Sequence, residues 1–342
     1  MLSKEKLSLM DDLQKLKKLI VDLMKIQHFD SIAVGVLDFS SKKFQSIQFP
    51  EIKDCLIFDL ASITKALTNG VVAIKYPKLF AHDERDFDNL KLLLNHRAGL
   101  PRGGRLSKSS WRQDILKYPI IPSSPTLYSD YSAIRFMLEI EERAKKSYRE
   151  LLSDDDSDGD EGSGRGGRGF LGGQEIYFWR DLILNKELVA RIVQTGERNR
   201  KIIQGEVNDD NAFVVNEFLS HAGLFATADS LLKTLLYLDQ RYNLLKVMRE
   251  EFARIKTEER FLLGWDRVEN PQKTLAGEGA SIHTFGHLGF TGTSCWIDLE
   301  KNFAQVILTN ATQKYSYSRD GLNLLRREIG KYLWNHGKSI LN

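Results

Sequence analysis

The chain has 342 residues, 42% of them hydrophobic and 28% charged, with a formal net charge of +3. This is the profile of a globular protein large enough for a sizeable core, in one large or two interleaved domains. The charge is too small to argue for nucleic acid or an anionic membrane, and neither is expected as a partner. Cys55 and Cys295 form no CxxC pair, which argues against a metal or redox motif. They read as two buried thiols in a reducing compartment, with a single disulfide as the alternative.

Residues 1–27 carry lysines throughout, while Leu9, Leu13, Leu16, Ile20 and Leu23 recur at steps of four and three. That pattern predicts an amphipathic helix rather than the apolar core of a secretory signal. No run of eighteen apolar residues exists, so no transmembrane span is expected, and the chain as given reads as cytoplasmic. Residues 32–39 read as a buried strand, 40–43 as a turn and 44–49 as a second strand, together a hairpin. The pattern turns helical from Ser62 to about Tyr76, and again over 90–95 until Gly99 and Pro101 stop it. Residues 122–130 read as a loop and 132–152 as one strong helix. Helices and loops fill the middle to about residue 240. Strands return at 283–290, 293–298 and 303–308, before a last helix over about 320–334.

Strands at both ends of a helical middle predict an α+β fold. A mixed, mostly antiparallel sheet is built from N- and C-terminal strands and flanked by the terminal helices, with a mainly helical inserted lobe. The sheet lobe takes in about 1–60 and 260–342, and the helical lobe about 61–259. Residues 62, 128 and 287 then fall at the junction of the lobes, where small-molecule clefts lie. Residues 153–169 are different: an acidic run followed by Gly-Arg repeats, with no apolar residue, predicts a flexible surface loop. The calcium-loop match that starts at Asp154 has Arg165 where a bidentate Glu is needed, and Gly164-x-Gly166-x-x-Gly169 follows no strand.

The stretch Phe58-Asp-Leu-Ala-Ser62-Ile-Thr-Lys65 carries the strongest chemical signal. A serine hydroxyl needs a neighbour to take its proton, and a lysine three residues on shares its helical face. A buried lysine can lose enough basicity to act as that acceptor. Ser-x-x-Lys also occurs at Ser3, Ser40 and Ser230 without such a setting. Tyr128-Ser-Asp130-Tyr offers a phenol as general acid or base and a carboxylate to hold the lysine or a substrate amide; Ser129 and Asp130 equally suit the N-cap of the next helix. Gly286-His287-Leu-Gly289-Phe290 ends a predicted strand. Its small residues let a substrate lie along the strand edge, and the Phe290 amide with the Ser62 amide can bind an oxyanion. His287 can donate to a substrate carboxylate or polarise the Tyr128 site.

Taken together, these three elements resemble the penicillin-recognising serine hydrolases, in the branch of class C β-lactamases, D-alanyl-D-alanine carboxypeptidases and family VIII esterases. The resemblance covers about residues 30–310 and includes Leu92-Leu-Leu-Asn-His96-Arg-Ala-Gly-Leu-Pro101, His221-Ala-Gly-Leu-Phe-Ala-Thr-Ala228, Leu263-Gly-Trp265 and Gly289-Phe-Thr-Gly-Thr-Ser-Cys-Trp-Ile-Asp298. It implies a β-lactamase/transpeptidase-like fold, Ser62 as the acylated nucleophile, Lys65 as its activating partner and Tyr128 as general base or acid. His287-Leu-Gly289 stands where the family has Lys-Thr-Gly. Asp130 replaces the Asn of Tyr-x-Asn, and Leu288 replaces a threonine that binds substrate carboxylates. Both departures argue against a β-lactam or a C-terminal D-alanine as preferred substrate. The expectation is a metal-independent, cofactor-free serine hydrolase acting on a small ester, amide or peptide. A D-amino-acid peptidase or β-lactamase is the enzymatic alternative, and an impaired scaffold or sensor the non-enzymatic one. The sequence leaves the oligomeric state open.

Overall fold

The computed structural model describes residues 4–80, 84–122, 124–153, 171, 174–255, 259–314 and 319–341, with side chains for all of these except 4–11, 80 and 84–88. In chain order the strands are β1 (Ile32–Asp38), β2 (Lys43–Phe49), β3 (Phe58–Asp59), β4 (Ile176–Phe178), β5 (Glu197–Arg198), β6 (Lys201–Ile202), β7 (Leu224–Ala226), β8 (Phe261–Leu262), β9 (Trp265–Arg267), β10 (Thr284–Leu288), β11 (Ser294–Asp298) and β12 (Phe303–Thr309). Seven of them form one sheet in the order β2-β1-β12-β11-β10-β9-β8. Every pairing in it is antiparallel, and β1 meets β12 through Ile32 opposite Thr309. N- and C-terminal strands thus complete one sheet, as the α+β expectation requires.

Side chains alternate across β1, so Val34 and Val36 face one apolar layer while Ala33 and Leu37 face the other. The first layer lies under the terminal helices Lys4–Met24 and Asp320–Ile340, through Leu16, Ile20, Leu325 and Ile329. Tyr332 Oη donates to the Asp12 carbonyl at 2.9 Å and joins those two helices directly. The second layer holds Ile63, Leu67, Leu232, Leu235 and Phe285, and joins the sheet to the helical part of the chain. Within that part sits a small sheet, β3-β7-β4, which the periodicity did not reveal because its strands have only two or three residues.

Several expected elements come out differently. The single helix over 132–152 is two, Asp130–Ala144 and Tyr148–Leu152. Lys145 turns left-handed at φ 51°, and Ser147 with Glu150 forms a capping box that starts the second helix. The helix from Ser62 is one α-turn, Ile63–Lys65, then a π-helical turn, Ala66–Gly70, then Val71–Lys75. Thr68 Oγ1 lies 2.7 Å from both the Thr64 and the Ser220 carbonyls inside this widened stretch, and its single proton is shared between them. Cys55 is exposed rather than buried, and both cysteines are free, so the disulfide alternative falls. The last helix runs on to Ile340. Of the acidic and Gly-Arg segment, residues 154–169 lie outside the described residues.

Candidate active site

The nucleophile candidate sits on a tight bend. The Leu60 N–H donates to the Leu224 carbonyl at 2.9 Å, closing the end of β3. Ala61 then adopts φ 47°, the left-handed region that L-residues rarely enter. Ser62 follows at the head of the Ile63–Lys65 turn. One turn on, Lys65 Nζ lies 3.0 Å from Ser62 Oγ. The same ammonium donates to the His221 carbonyl at 3.0 Å and pairs with Asp130 Oδ1 at 2.7 Å. Three donors meet three acceptors, so the lysine is fully satisfied as an ammonium. Its side chain is only 2% exposed. Burial works against the charge, but the Asp130 carboxylate and the adjacent Tyr128 outweigh it and hold the lysine above its ordinary pKa.

Tyr128 lies under that ammonium, its ring centre 5.1 Å from Lys65 Nζ. The ring packs against His96 at 4.8 Å, Phe261 at 5.8 Å and His287 at 5.9 Å between centroids. Its hydroxyl is buried and meets no hydrogen-bond geometry with any described residue. Burial raises the phenol's pKa, Asp130 adds to the rise, and the Lys65 charge only partly offsets it. The phenol is therefore protonated at neutral pH. Ser129 caps the following helix by accepting the Ser132 N–H at 2.9 Å. Asp130 is the first residue of that helix, which leaves its side chain to reach Lys65.

His287 comes in from β10, opposite Cys295. Its Nδ1 lies 2.8 Å from the Leu288 carbonyl, which assigns the proton to Nδ1. Nε2 is then a lone pair, buried without a partner among the described residues. Burial first, and the Lys65 charge second, push the imidazole down to about 3, so it is neutral. In this tautomer Nε2 accepts a hydrogen bond; it does not donate to a carboxylate, one of the two roles the sequence suggested.

The glycines of this strand are required by contact. A Cβ at Gly289 would stand 1.9 Å from Thr293 Oγ1 and 2.6 Å from the Leu60 carbonyl, and one at Gly286 would stand 2.0 Å from the Cys295 carbonyl. Thr291 Oγ1 donates to the Asp59 carbonyl at 2.7 Å and Thr293 Oγ1 to that of Leu60 at 3.1 Å, which straps the turn after β10 onto the Ser62 bend. Among the described residues, the main-chain N–H groups of Ser62 and Phe290 have no partner. The Phe290 ring is 48% exposed, with the Arg319 guanidinium 4.4 Å above it.

Four further neighbours, to which the sequence assigned no role, complete the site. His96 accepts the Ser129 N–H at Nδ1 (3.2 Å), and burial holds it neutral, well below its ordinary pKa. His221 supplies the carbonyl for Lys65, and its own Nε2 lies 3.1 Å from Asp209. Asp59 is buried beside the bend. Arg326, reaching over from the last helix, donates to the Gly289 and Thr293 carbonyls at 3.2 and 2.7 Å. Asp59, His96 and His221 stood inside phrases already singled out, so the signal was present without an assigned role.

The candidate nucleophile, buried lysine, phenol and glycine strand thus converge at one place between the main sheet and the helices. The family model described as Beta-lactamase matches residues 89–327, well over half of the chain. The chain belongs to the beta-lactamase family. The matched span contains Tyr128, Asp130, His287, Gly289 and Phe290, and begins after Ser62 and Lys65. Members of this family are enzymes of the serine-hydrolase type. Over 130 residues the chain is 32% identical to the N-acetylmuramyl-L-alanine amidase of Bacillus subtilis (strain 168), spanning 29% of that protein's length. Three solved structures share the fold. A variant of simvastatin synthase from Aspergillus terreus has a TM-score of 0.66 at 14% identity, over 96% of this chain and 98% of that one. The D-alanine carboxypeptidase AmpC from Burkholderia cenocepacia has 0.61 at 13%, over 94% and 98%. The octameric penicillin-binding protein homologue from Pyrococcus abyssi has 0.61 at 16%, over 94% and 78%. Among the described residues, no helix is long and apolar enough to cross a membrane.

Proposed function

We propose that this beta-lactamase family member hydrolyses an ester or amide bond of a small substrate through an acyl-enzyme on Ser62. The observation that carries this is the buried Lys65 ammonium, 3.0 Å from Ser62 Oγ. Ser62 Oγ attacks the substrate carbonyl carbon, and its proton passes to Lys65 in the fraction of molecules whose lysine is neutral. The unpartnered N–H groups of Ser62 and Phe290 stabilise the oxyanion. Tyr128, a protonated phenol, gives its proton to the leaving group as the acyl-enzyme forms. Water then releases the acid and frees Ser62.

Asp130 shapes both rate and preference. Holding Lys65 as an ammonium keeps the base occupied at neutral pH, so acylation rises as the pH climbs and the lysine loses its proton. A substrate carboxylate meets the charge of Asp130 and lacks the hydroxyl that Leu288 has replaced, which disfavours β-lactams. A neutral ester or amide suits the site, and an amine-bearing amide is the second reading, because Asp130 is 31% exposed and offers a carboxylate to an ammonium. The amide cleaved by the Bacillus subtilis relative, as its name describes it, belongs on the panel of substrates to be tried.

The test is turnover of a panel of p-nitrophenyl esters and amino-acid amides by the wild type and by Ser62→Ala. Loss of all turnover in the variant is expected; undiminished turnover contradicts the proposal. Deletion of residues 153–169 separates an enzyme from a scaffold. An enzyme keeps its turnover, whereas a scaffold that binds through this segment loses its partner.

A further inference from the structure

The nucleophile's bend rests on a buried carboxylate that the chemistry above does not use. Asp59, at the end of β3, is 1% exposed. Its Oδ1 accepts the Ala61 N–H at 2.8 Å, and its Oδ2 accepts the Asn208 N–H at 2.8 Å. Its own carbonyl accepts Thr291 Oγ1 at 2.7 Å, from the turn that presents the Phe290 N–H. Ala61, the residue it grips, carries the left-handed φ of 47° immediately before Ser62. A backbone in that region persists only where its surroundings over-determine it.

The other end of the carboxylate leads to the lysine. Next to Asn208, Asp209 pairs with His221 Nε2 at 3.1 Å, and the His221 carbonyl takes Lys65 Nζ at 3.0 Å. One loop therefore braces the nucleophile through Asp59 and the lysine through His221. We propose that Asp59 is a positioning residue whose ionised carboxylate locks the Ala61 bend and so aims the Ser62 hydroxyl and the oxyanion N–H groups. This rests on the reading of Ser62 as the nucleophile.

The surroundings make the lock sensitive to pH. Burial pushes the Asp59 carboxyl up to about 6; its two N–H bonds oppose this, the Asp209 charge adds to it, and Arg198 opposes it. On the neighbouring elements, Lys65 lies one turn along the nucleophile segment with its ammonium at Ser62 Oγ, and Arg326 donates to the Gly289 carbonyl at the start of the Thr291 turn. A protonated carboxyl turns one oxygen into a donor, which then faces an N–H, and one of the two bonds is lost. The sign for stability is opposite to that for alignment. An acid whose pKa is raised by folding costs stability once ionised, so the folded state gains stability as pH falls from about 6 towards the unfolded carboxylate range. The carboxylate thus trades stability for alignment.

The test compares the wild type with Asp59→Asn, whose amide mimics the protonated acid. The rate at which a fluorophosphonate labels Ser62 is followed from pH 5 to 8.5, together with Tm and the amide signal of Ala61 in 15N-alanine-labelled protein. In the wild type, labelling and the Ala61 amide should both show a step near pH 6. Asp59→Asn should label at least tenfold more slowly at pH 8, lose both steps, keep the reagent's saturation constant and melt at a higher temperature. Equal labelling, a retained step, or a lower Tm in the variant would overturn the proposal. An unlabelled wild type would sink the hydrolase reading alone, because the Ala61 titration still reads the carboxylate's grip. A wild-type Ala61 signal that does not titrate would refute the grip itself.

Discussion

Replacing Asp130 by Asn should make this enzyme faster at neutral pH, the reverse of what usually follows from altering a residue in an active site. Asp130 Oδ1 stands 2.7 Å from Lys65 Nζ. At an effective dielectric of about 20, two unit charges at that distance attract by about 6 kcal/mol. The carboxylate is 31% exposed, and solvent screening brings the figure down to about 3 kcal/mol. The Asp130→Asn change should therefore lower the lysine pKa by about two units, at 1.36 kcal/mol per unit. The neutral fraction of Lys65 at pH 7 then rises about a hundredfold, while a weaker base loses about tenfold in proton abstraction if half of the basicity is felt in the transition state. The net gain in acylation is about tenfold. A penicillin should gain more than a neutral ester, because its carboxylate no longer faces Asp130. Burst kinetics with p-nitrophenyl acetate and intact-mass time courses with benzylpenicillin read the two rates. Unchanged or slower acylation of both reagents would refute the reasoning.

Other outcomes follow from the same geometry. Gly289→Ala places a methyl on Thr293 Oγ1 and the Leu60 carbonyl, so it should cost about 2–3 kcal/mol of stability and slow Ser62 labelling, read by thermal melts and labelling rates. Wild-type Tm and labelling in that variant would mean that the strand does not press on the bend. His287 stays neutral down to about 3, so between pH 5 and 8 it contributes no limb to the activity profile; a limb that disappears in His287→Asn would contradict this. Folding depresses that imidazole, so its contribution to stability is present above its unfolded pKa of about 6.5 and is lost as pH falls towards 3. A pH series of melts should show more acid destabilisation in the wild type than in His287→Asn.

Much of this arrangement is legible in the sequence because the chemistry is local. Ser62 and Lys65 lie one turn apart, so their proximity follows from helical geometry alone, even though the turn continues as a π-helical stretch. The terminal strands announce themselves by long apolar runs, and β1, β10, β11 and β12 fall close to where those runs predict. The strands β3 and β7 are too short to leave a periodic trace, yet they hold the Ser62 bend. Lys145 gave no warning that it would break a helix, although Ser147 and Glu150 three residues apart did signal a new start. Contacts that depend on the tertiary fold stayed hidden. The Asp59–Asn208 bond spans 149 residues and left no trace, whereas the pairing of Asp130 with Lys65, 65 residues apart, was expected from its motif. The tautomer of His287 is set by a neighbouring carbonyl that only the folded strand brings within reach.

The central claim is that Ser62 is a nucleophile activated by Lys65. Intact mass and peptide mapping after exposure to a fluorophosphonate and, in parallel, a penicillin test it most directly. A single adduct on Ser62 that disappears in Lys65→Ala is the predicted result. A folded protein that takes up neither reagent, or carries the adduct at full rate without Lys65, would contradict it.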